Sequence, residues 1–403
     1  MNDTTILGQV ALGYSPFIDR SRAVSATRLT VVPLKPDVTP DVAQLLHAVG
    51  GVWPADGGKA ALNVVSESLL QDLLRASPSP NLMVEVPAFM AVDPANIVSL
   101  QNLHAAGTTL LIKGRPLSEL PREVLPCFTY SIIDLADDRR INEAGATPPA
   151  GVIRNIPHVQ SGVRTLAEME ASFTRGAAAV LGWPIDDAIE QAQAKSGGKQ
   201  PQTEMQVIVE LIQRVDKQEP IEKLEGTLKR DPSLAFKLMR YINSPAFGLR
   251  VEISSFRHAI MMLGYQRLKR WLALLLATAG KDSNMKPVMF AAVRRGLLME
   301  ELVRSSGDEE MRNEMFICGV FSLLDRMFKQ PFSELLKTIP VPERVYQALV
   351  DSSGPYQPYF ALVQAVENES LYDFRASAET LMLSVSEINR CVLSALTAAS
   401  QVE

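Results

Sequence analysis

Residues 231–276 read DPSLAFKLMRYINSPAFGLRVEISSFRHAIMMLGYQRLKRWLALLL. Asp231 followed by Pro232 starts a helix, because a carboxylate accepts from the unpaired N–H groups of a first turn and proline tolerates the first helical position. Leu234, Leu238 and Tyr241 then recur at helical spacing, as do Ala235, Met239 and Ile242. Asn243-Ser244-Pro245 ends that helix, since proline disfavours helical backbone in the residue before it, and Gly248 marks a turn. Ser254 or Ser255 caps a second helix that runs through Ile260 and Leu263 to Gly264. A third helix carries Leu268, Trp271, Leu272 and Leu275 on one side.

Outward from this block the C-terminal half continues as helices: 204–214 and 221–229 before it, then 286–305, 312–328, 331–338, 342–350, 358–368 and 384–399. Pro331, Pro342 and Pro358 stand where they begin helices. The N-terminal half alternates instead. Strand-like runs at 29–34, 60–65, 82–86, 109–113, 130–135, 152–156 and 178–181 are interleaved with helical stretches at 39–49, 67–75, 94–106 and 166–175. Repeated strand–helix units mean a parallel sheet, and this many in under 200 residues point to a compact, eroded (β/α) barrel. KSGGKQPQ at 195–202 reads as the linker. The expected organisation is an α/β barrel domain over 1–194 and an all-helical domain over 203–403.

At 403 residues, 47 % apolar and 21 % charged, the chain has the composition of a globular protein with two cores. It shows no run of eighteen apolar residues and no basic-then-apolar leader, so a cytoplasmic protein without a membrane span is expected. The three cysteines, Cys127, Cys318 and Cys391, have no metal or disulfide spacing and read as small buried side chains in a reducing compartment. A net charge of −5 argues against a general nucleic-acid binder. One local exception is the run Lys237, Arg240, Arg250, Arg257, Arg267, Lys269 and Arg270. It reads either as solvated helix faces or as a docking patch for an acidic or phosphate-bearing partner.

DPSLAFKLMRYINSPAFG, SSFRHAIMMLG and the long apolar helix after them resemble the opening of an HDOD domain, a non-catalytic relative of HD-type phosphohydrolases. The resemblance extends more weakly to about residue 330. The N-terminal half is similar to an EAL domain, a barrel that hydrolyses cyclic di-GMP with metal ions. PFIDRSRAVSATRLTV resembles the family's entry strand. On that resemblance Thr27 falls where a metal-binding Glu is expected and Val31 where an Arg contacts the nucleotide. Asn63 matches the asparagine ligand and Glu85 the next carboxylate. Lys113 and Gly114 fall near the family's paired aspartates, and Arg164 replaces a later Glu. Asp134 resembles a further family Asp, with Ile132 in the lysine position.

Two-metal phosphodiester hydrolysis needs several carboxylates to hold divalent cations. Asn63 and Glu85 alone do not neutralise two such ions, and Lys113 and Arg164 would repel them. Glu85 is then a remnant ligand or a structural strand-end carboxylate. In the C-terminal half, Gly319-Val320-Phe321-Ser322-Leu323 resembles the HD family's Gly-Leu-Leu-His-Asp, with Ser322 for His and Leu323 for Asp. With His258 alone among the four histidines lying in that half, a His-rich metal site cannot assemble there. The expectation is a protein with no catalytic residues, no metal and no cofactor, acting in cyclic di-GMP-related signalling by contacting other signalling proteins. The binding face would comprise Arg240, Asn243, Pro245, Arg250, Arg257, Arg267 and Arg270. The alternative is a non-hydrolysing cyclic di-GMP receptor using Asn63, Glu85, Lys113 and Arg164, and residual metal-dependent phosphodiesterase activity is a third reading.

Overall fold

A computed structural model describes residues 5–35, 38, 40–54, 58–116, 118–138, 156–187, 203–228, 256–279 and 282–402. Contacts divide the chain into one unit made of Met1–Asp187 with Gln364–Arg390 and another made of Ala188–Val363 with Cys391–Glu403.

The first unit is a closed barrel of β1 (Val10–Asp19), β2 (Val24–Pro33), β3 (Ala60–Val64), β4 (Leu82–Pro87), β5 (Thr109–Lys113), β6 (Phe128–Asp134), β7 (His158–Ser161) and β8 (Ala179–Leu181), paired in chain order. β1 runs antiparallel to both β2 and β8, and the pairs from β2 to β8 are parallel. Helices α1 (Val42–Val52), α2 (Glu67–Arg75), α3 (Ile97–Ala105) and α4 (Leu166–Thr174) connect the strands. Each turns an apolar stripe inward, as α2 does with Leu69, Leu70, Leu73 and Leu74. Local capping sets their starts. Ser66 Oγ accepts from Leu69 N, and Thr165 and Glu168 form a reciprocal capping box on α4.

Side chains alternate across a strand with a period of two. One residue from each of the eight strands builds the interior apolar cluster: Phe17, Ala26, Ala61, Met83, Leu111, Ile132, Val159 and Leu181. The residues two positions further along the parallel strands, and two positions back along antiparallel β1, therefore form the next interior layer towards the barrel mouth. That layer comprises Ser15, Arg28, Asn63, Glu85, Lys113, Asp134 and Ser161.

The C-terminal segment of this unit completes β1. Asn389, fully buried, accepts at Oδ1 from Leu12 N (3.1 Å) and donates from Nδ2 to the carbonyls of Leu7 (2.8 Å) and Val10 (2.7 Å). Sequence periodicity had placed everything after residue 203 in one helical domain. Contacts instead give Gln364–Arg390 to the barrel, because a helical pattern shows that a face is apolar and not which core it meets. The proposed linker, 195–202, lies outside the described residues. Replacing Asn389 by alanine strands one buried N–H and withdraws a donor from two carbonyls. It is expected to lower stability by roughly 2–4 kcal/mol, measurable as a lowered urea midpoint.

The second unit is helical: α5 (Thr203–Asp216), α6 (Ile221–Leu228), α7 (Phe256–Thr278), α8 (Lys286–Leu302), α9 (Glu309–Phe321), α10 (Glu343–Leu349) and part of α11 (Gln357–Glu367). Helices α12 (Leu371–Leu381) and the first residues of α13 (Val385–Val402) belong to the barrel unit. The sequence reading ended a helix at Gly264, and α7 breaks there with φ 71° and ψ 172°. Helices α8 and α9 cross at backbone contact: a Cβ added to Gly319 would lie 2.5 Å from the carbonyl carbon and oxygen of Arg295. Pro331 and Pro342 stand immediately before short helices, as expected. Strand β1 and helix α12 were not anticipated. β1 is buried along nearly its whole length, so it shows no alternation to read. Among the described residues no helix is long and apolar enough to cross a membrane. Cys127 and Cys318 are buried, and burial pushes the Cys318 thiol up to about 12. Cys391 is partly exposed.

Candidate functional site

The polar layer at the barrel mouth is where the sequence placed its candidates. The fold brings Asn63, Glu85 and Lys113 together there on the C-terminal ends of β3, β4 and β5. Its central feature is a residue the sequence reading did not single out. Arg28 forms a two-pronged ion pair with Glu85, with Nε to Oε1 and Nη2 to Oε2 both at 2.8 Å. The Glu85 side chain is wholly buried and that of Arg28 is 11 % exposed. The resemblance put the family's Glu at Thr27. The interior register shows that Thr27 points away from the barrel axis and that Arg28 takes the inward place, because Ala26 lies in the apolar layer below.

A second carboxylate reaches the same guanidinium from the C-terminal segment. Glu369 Oε2 lies 3.6 Å from Arg28 Nη1, and Glu369 Oε1 accepts from Ser15 Oγ at 3.1 Å. Glu369 has a left-handed backbone, φ 55°, which ends the turn after α11. Space for that approach exists because position 13 has no side chain. A Cβ on Gly13 would stand 2.9 Å from the Val366 carbonyl oxygen and 3.0 Å from Glu369 Cγ.

The remaining members pair with one another. Lys113 Nζ donates to Asn63 Oδ1 (2.9 Å), and Asn63 Nδ2 donates to Thr30 Oγ1 (3.0 Å). Ser161 Oγ donates to Asp134 Oδ2 (3.2 Å). Burial works against the charged form of Arg28, but Glu85 and Glu369 outweigh it and hold the guanidinium above its ordinary value. Burial, and then repulsion by Arg28, push Lys113 below the ordinary lysine value. The layer is thus a charge-balanced lattice of two cations, Glu85, Glu369 and neutral amides and hydroxyls, with Asp134 at its edge.

Arg164 does not join this group. It lies past the end of β7 and pairs with Asp186 (2.7 Å) on the surface, its side chain 63 % exposed. No signal close to Glu85 in sequence pointed to Glu369. Arg28 was discernible only by counting in twos from Ala26.

The place matched to the HD motif is also filled. Ser322 is buried; its Oγ donates to the Gly319 carbonyl (2.7 Å) and accepts from Arg295 Nη1 (3.1 Å). Leu323 is buried in the apolar core. Among the described residues no cluster of three or more His, Cys, Asp or Glu could hold a metal ion.

Of the candidate docking residues, Arg240, Asn243, Pro245 and Arg250 lie outside the described residues. Arg257 is half exposed and pairs with Glu222 (2.8 Å) and Glu225 (3.8 Å). Arg267 is exposed. Arg270 is not available to a partner. It is mostly buried, clamps Glu300 at 2.5 Å and lies 4.1 Å from the centre of the Phe316 ring. Arg270 lies beside Trp271 and against Glu300 of α8 and Phe316 of α9, whereas Arg267, one turn nearer the break at Gly264, is exposed.

Residues 202–329 match the HDOD domain, so the helical unit carries an HDOD domain. Uncharacterized protein YuxH of Bacillus subtilis is 25 % identical over 331 residues, covering 79 % of each chain. Cyclic di-GMP phosphodiesterase CdgJ of Vibrio cholerae is 26 % identical over 145 residues, 36 % of this chain and 34 % of that protein. Among solved structures, a standalone EAL protein from Vibrio cholerae O395 with cyclic di-GMP bound aligns with a TM-score of 0.31 and 16 % identity, covering 43 % of this chain and 90 % of that one.

Proposed function

We propose that this chain is a non-catalytic signal-transduction protein that works by protein–protein contact in cyclic di-GMP-related regulation. The observation that carries the reading is the internal neutralisation of the barrel mouth. A metal-dependent phosphodiesterase must present carboxylate oxygens with free lone pairs to cations. Here both oxygens of Glu85 are taken by Arg28, the oxygens of Glu369 by Arg28 and Ser15, and the Asn63 oxygen by Lys113. A divalent ion entering this layer would have to displace a buried guanidinium and would face Lys113 as well. In the helical unit, Ser322 bonded to Arg295 supplies no ligand comparable to a His-Asp pair. The signalling context rests on similarity: an HDOD domain, and a matched stretch shared with a cyclic di-GMP phosphodiesterase.

The helical unit is the proposed contact surface, around exposed Arg267. A cytoplasmic setting belongs to the same proposal.

The test uses the full chain. Incubation with cyclic di-GMP and magnesium or manganese is expected to give no linear dinucleotide above the protein-free rate. Calorimetric titration with cyclic di-GMP is expected to give no saturable heat, while affinity capture from a cognate lysate yields a stoichiometric protein partner. Turnover that disappears in Glu85→Gln would overturn the non-catalytic reading. Saturable micromolar binding without turnover would replace the scaffold with a nucleotide receptor, in which the ligand's phosphates displace Glu369 from Arg28.

A further inference from the structure

The helical unit contains a cleft of about 470 Å³ that the barrel chemistry does not use, within the size range of small-molecule sites. It lies between the C-terminal end of α5, the first turn of α7 after its break at Gly264, and the start of α9. Its polar wall is formed by Asp216, Tyr265, Lys269, Glu310, Asn313 and Glu314. Ile317, Val341 and Pro342 supply apolar surface.

The charges on this wall are not equivalent. Lys269 is spent on Asp216, Nζ to Oδ1 at 2.5 Å. Glu314 is held by Tyr356 Oη at 2.5 Å and by Arg344 at 3.0 Å. Glu310 is exposed and makes no ion pair among the described residues. Three carboxylates therefore face the Lys269 ammonium and the Arg344 guanidinium, which feels Glu310 as well as Glu314, so one negative charge is in surplus and Glu310 is the carboxylate without an ion pair.

Asn313 provides a second and independent indication. It is 8 % exposed, lines the cleft, and its amide makes no hydrogen bond among the described residues. Its oxygen and nitrogen are not sealed in the protein, so the amide opens to the cleft. A largely buried amide without a protein partner is uncommon, and its hydrogen bonds are left to water or to a ligand that enters the cleft.

We propose that this cleft binds a small organic cation of the alkyl-amine class, a diamine or polyamine. Its ammonium is received by Glu310 and by the Asn313 amide oxygen, and its methylene chain lies along Ile317, Val341 and Pro342. An anionic ligand would meet the surplus negative charge of this wall.

The test is calorimetric titration of the full chain with spermidine and with putrescine in physiological salt. Saturable binding at one site is expected, weakened at least tenfold by Asn313→Ala and by Glu310→Gln. Glu334→Gln, which removes an exposed carboxylate elsewhere in the helical unit, is expected to leave it unchanged. Melting temperature separates a binding amide from a structural one: Asn313→Ala is expected to leave it unchanged or raise it, because no protein hydrogen bond is lost. A marked fall in melting temperature would assign Asn313 to the fold and overturn the proposal. So would an absence of saturable heat at millimolar amine, or a loss in Glu334→Gln equal to that in Glu310→Gln, which would show diffuse attraction to an acidic chain.

Discussion

Arg28→Ala is expected to destabilise the barrel unit by about 3–5 kcal/mol, the usual cost of removing one partner from a buried ion pair. The loss is large because Glu85 is left wholly buried with both oxygens deprived of their donors, and because Glu369 loses its cation as well. The double replacement Arg28→Met with Glu85→Leu is expected to recover most of that loss, since an apolar pair of similar volume avoids desolvating two charges. Urea unfolding followed by far-ultraviolet circular dichroism on the two single variants and the double variant gives the coupling. A change below about 1 kcal/mol in Arg28→Ala, the level of an exposed pair, would mean that the mouth is open to water and that its charges are not internally held.

The second large effect is expected in the helical unit. Gly319→Ala is expected to cost roughly 3 kcal/mol, the upper part of the range for overpacking. An added methyl would meet the Arg295 carbonyl carbon and oxygen at 2.5 Å and Gly296 N at 2.6 Å. These are backbone atoms and cannot rotate aside as a flexible side chain can. Gly319→Leu is expected to abolish cooperative unfolding of this unit. Gly226→Ala is the matched control. It lies within α6 with nothing within 4 Å of the added carbon, so it is expected to stabilise by about 0.5–1 kcal/mol through helix propensity. Equal effects at the two glycines would show that α8 and α9 are not locked at backbone contact.

These predictions mark where the sequence could be read and where it could not. The barrel was legible from β3, β4 and β5, whose apolar runs AALNV, LMVEVP and TLLIK match strands of those bounds or nearly so. Asn63, Glu85 and Lys113 were legible as one site through the resemblance to the EAL family, and the fold places each near the C-terminal end of its strand. Arg28 was hidden by a one-residue ambiguity in register, which exchanges the inside and outside of a strand. Glu369 was hidden for a different reason. Its role depends on a contact across the whole fold, and a turn glutamate after a helix has no local pattern that announces it. Arg270 looked like Arg267 in sequence, three residues away on the same side of α7, and only the tertiary contacts with Glu300 and Phe316 set it apart. The division between the two units was the least legible feature, since Gln364–Arg390 has the same amphipathic character as the helices that pack with the other core.

The pinning of β1 by Asn389 sets an order of events during synthesis. The last barrel strand, β8, ends at Leu181, yet the segment that satisfies Leu12 begins at Gln364. At ribosomal speeds of roughly 5–20 residues per second, about 10–40 s separate the two. During that interval the helical unit emerges and its local contacts can form, while the barrel, its first strand already laddered to β2, waits with the Leu12 N–H unpaired. Such a nascent barrel exposes a sticky edge to other chains for as long as translation lasts. Slow codons or a stall within the helical unit would therefore lower the yield of correctly closed barrel without altering a single amino acid.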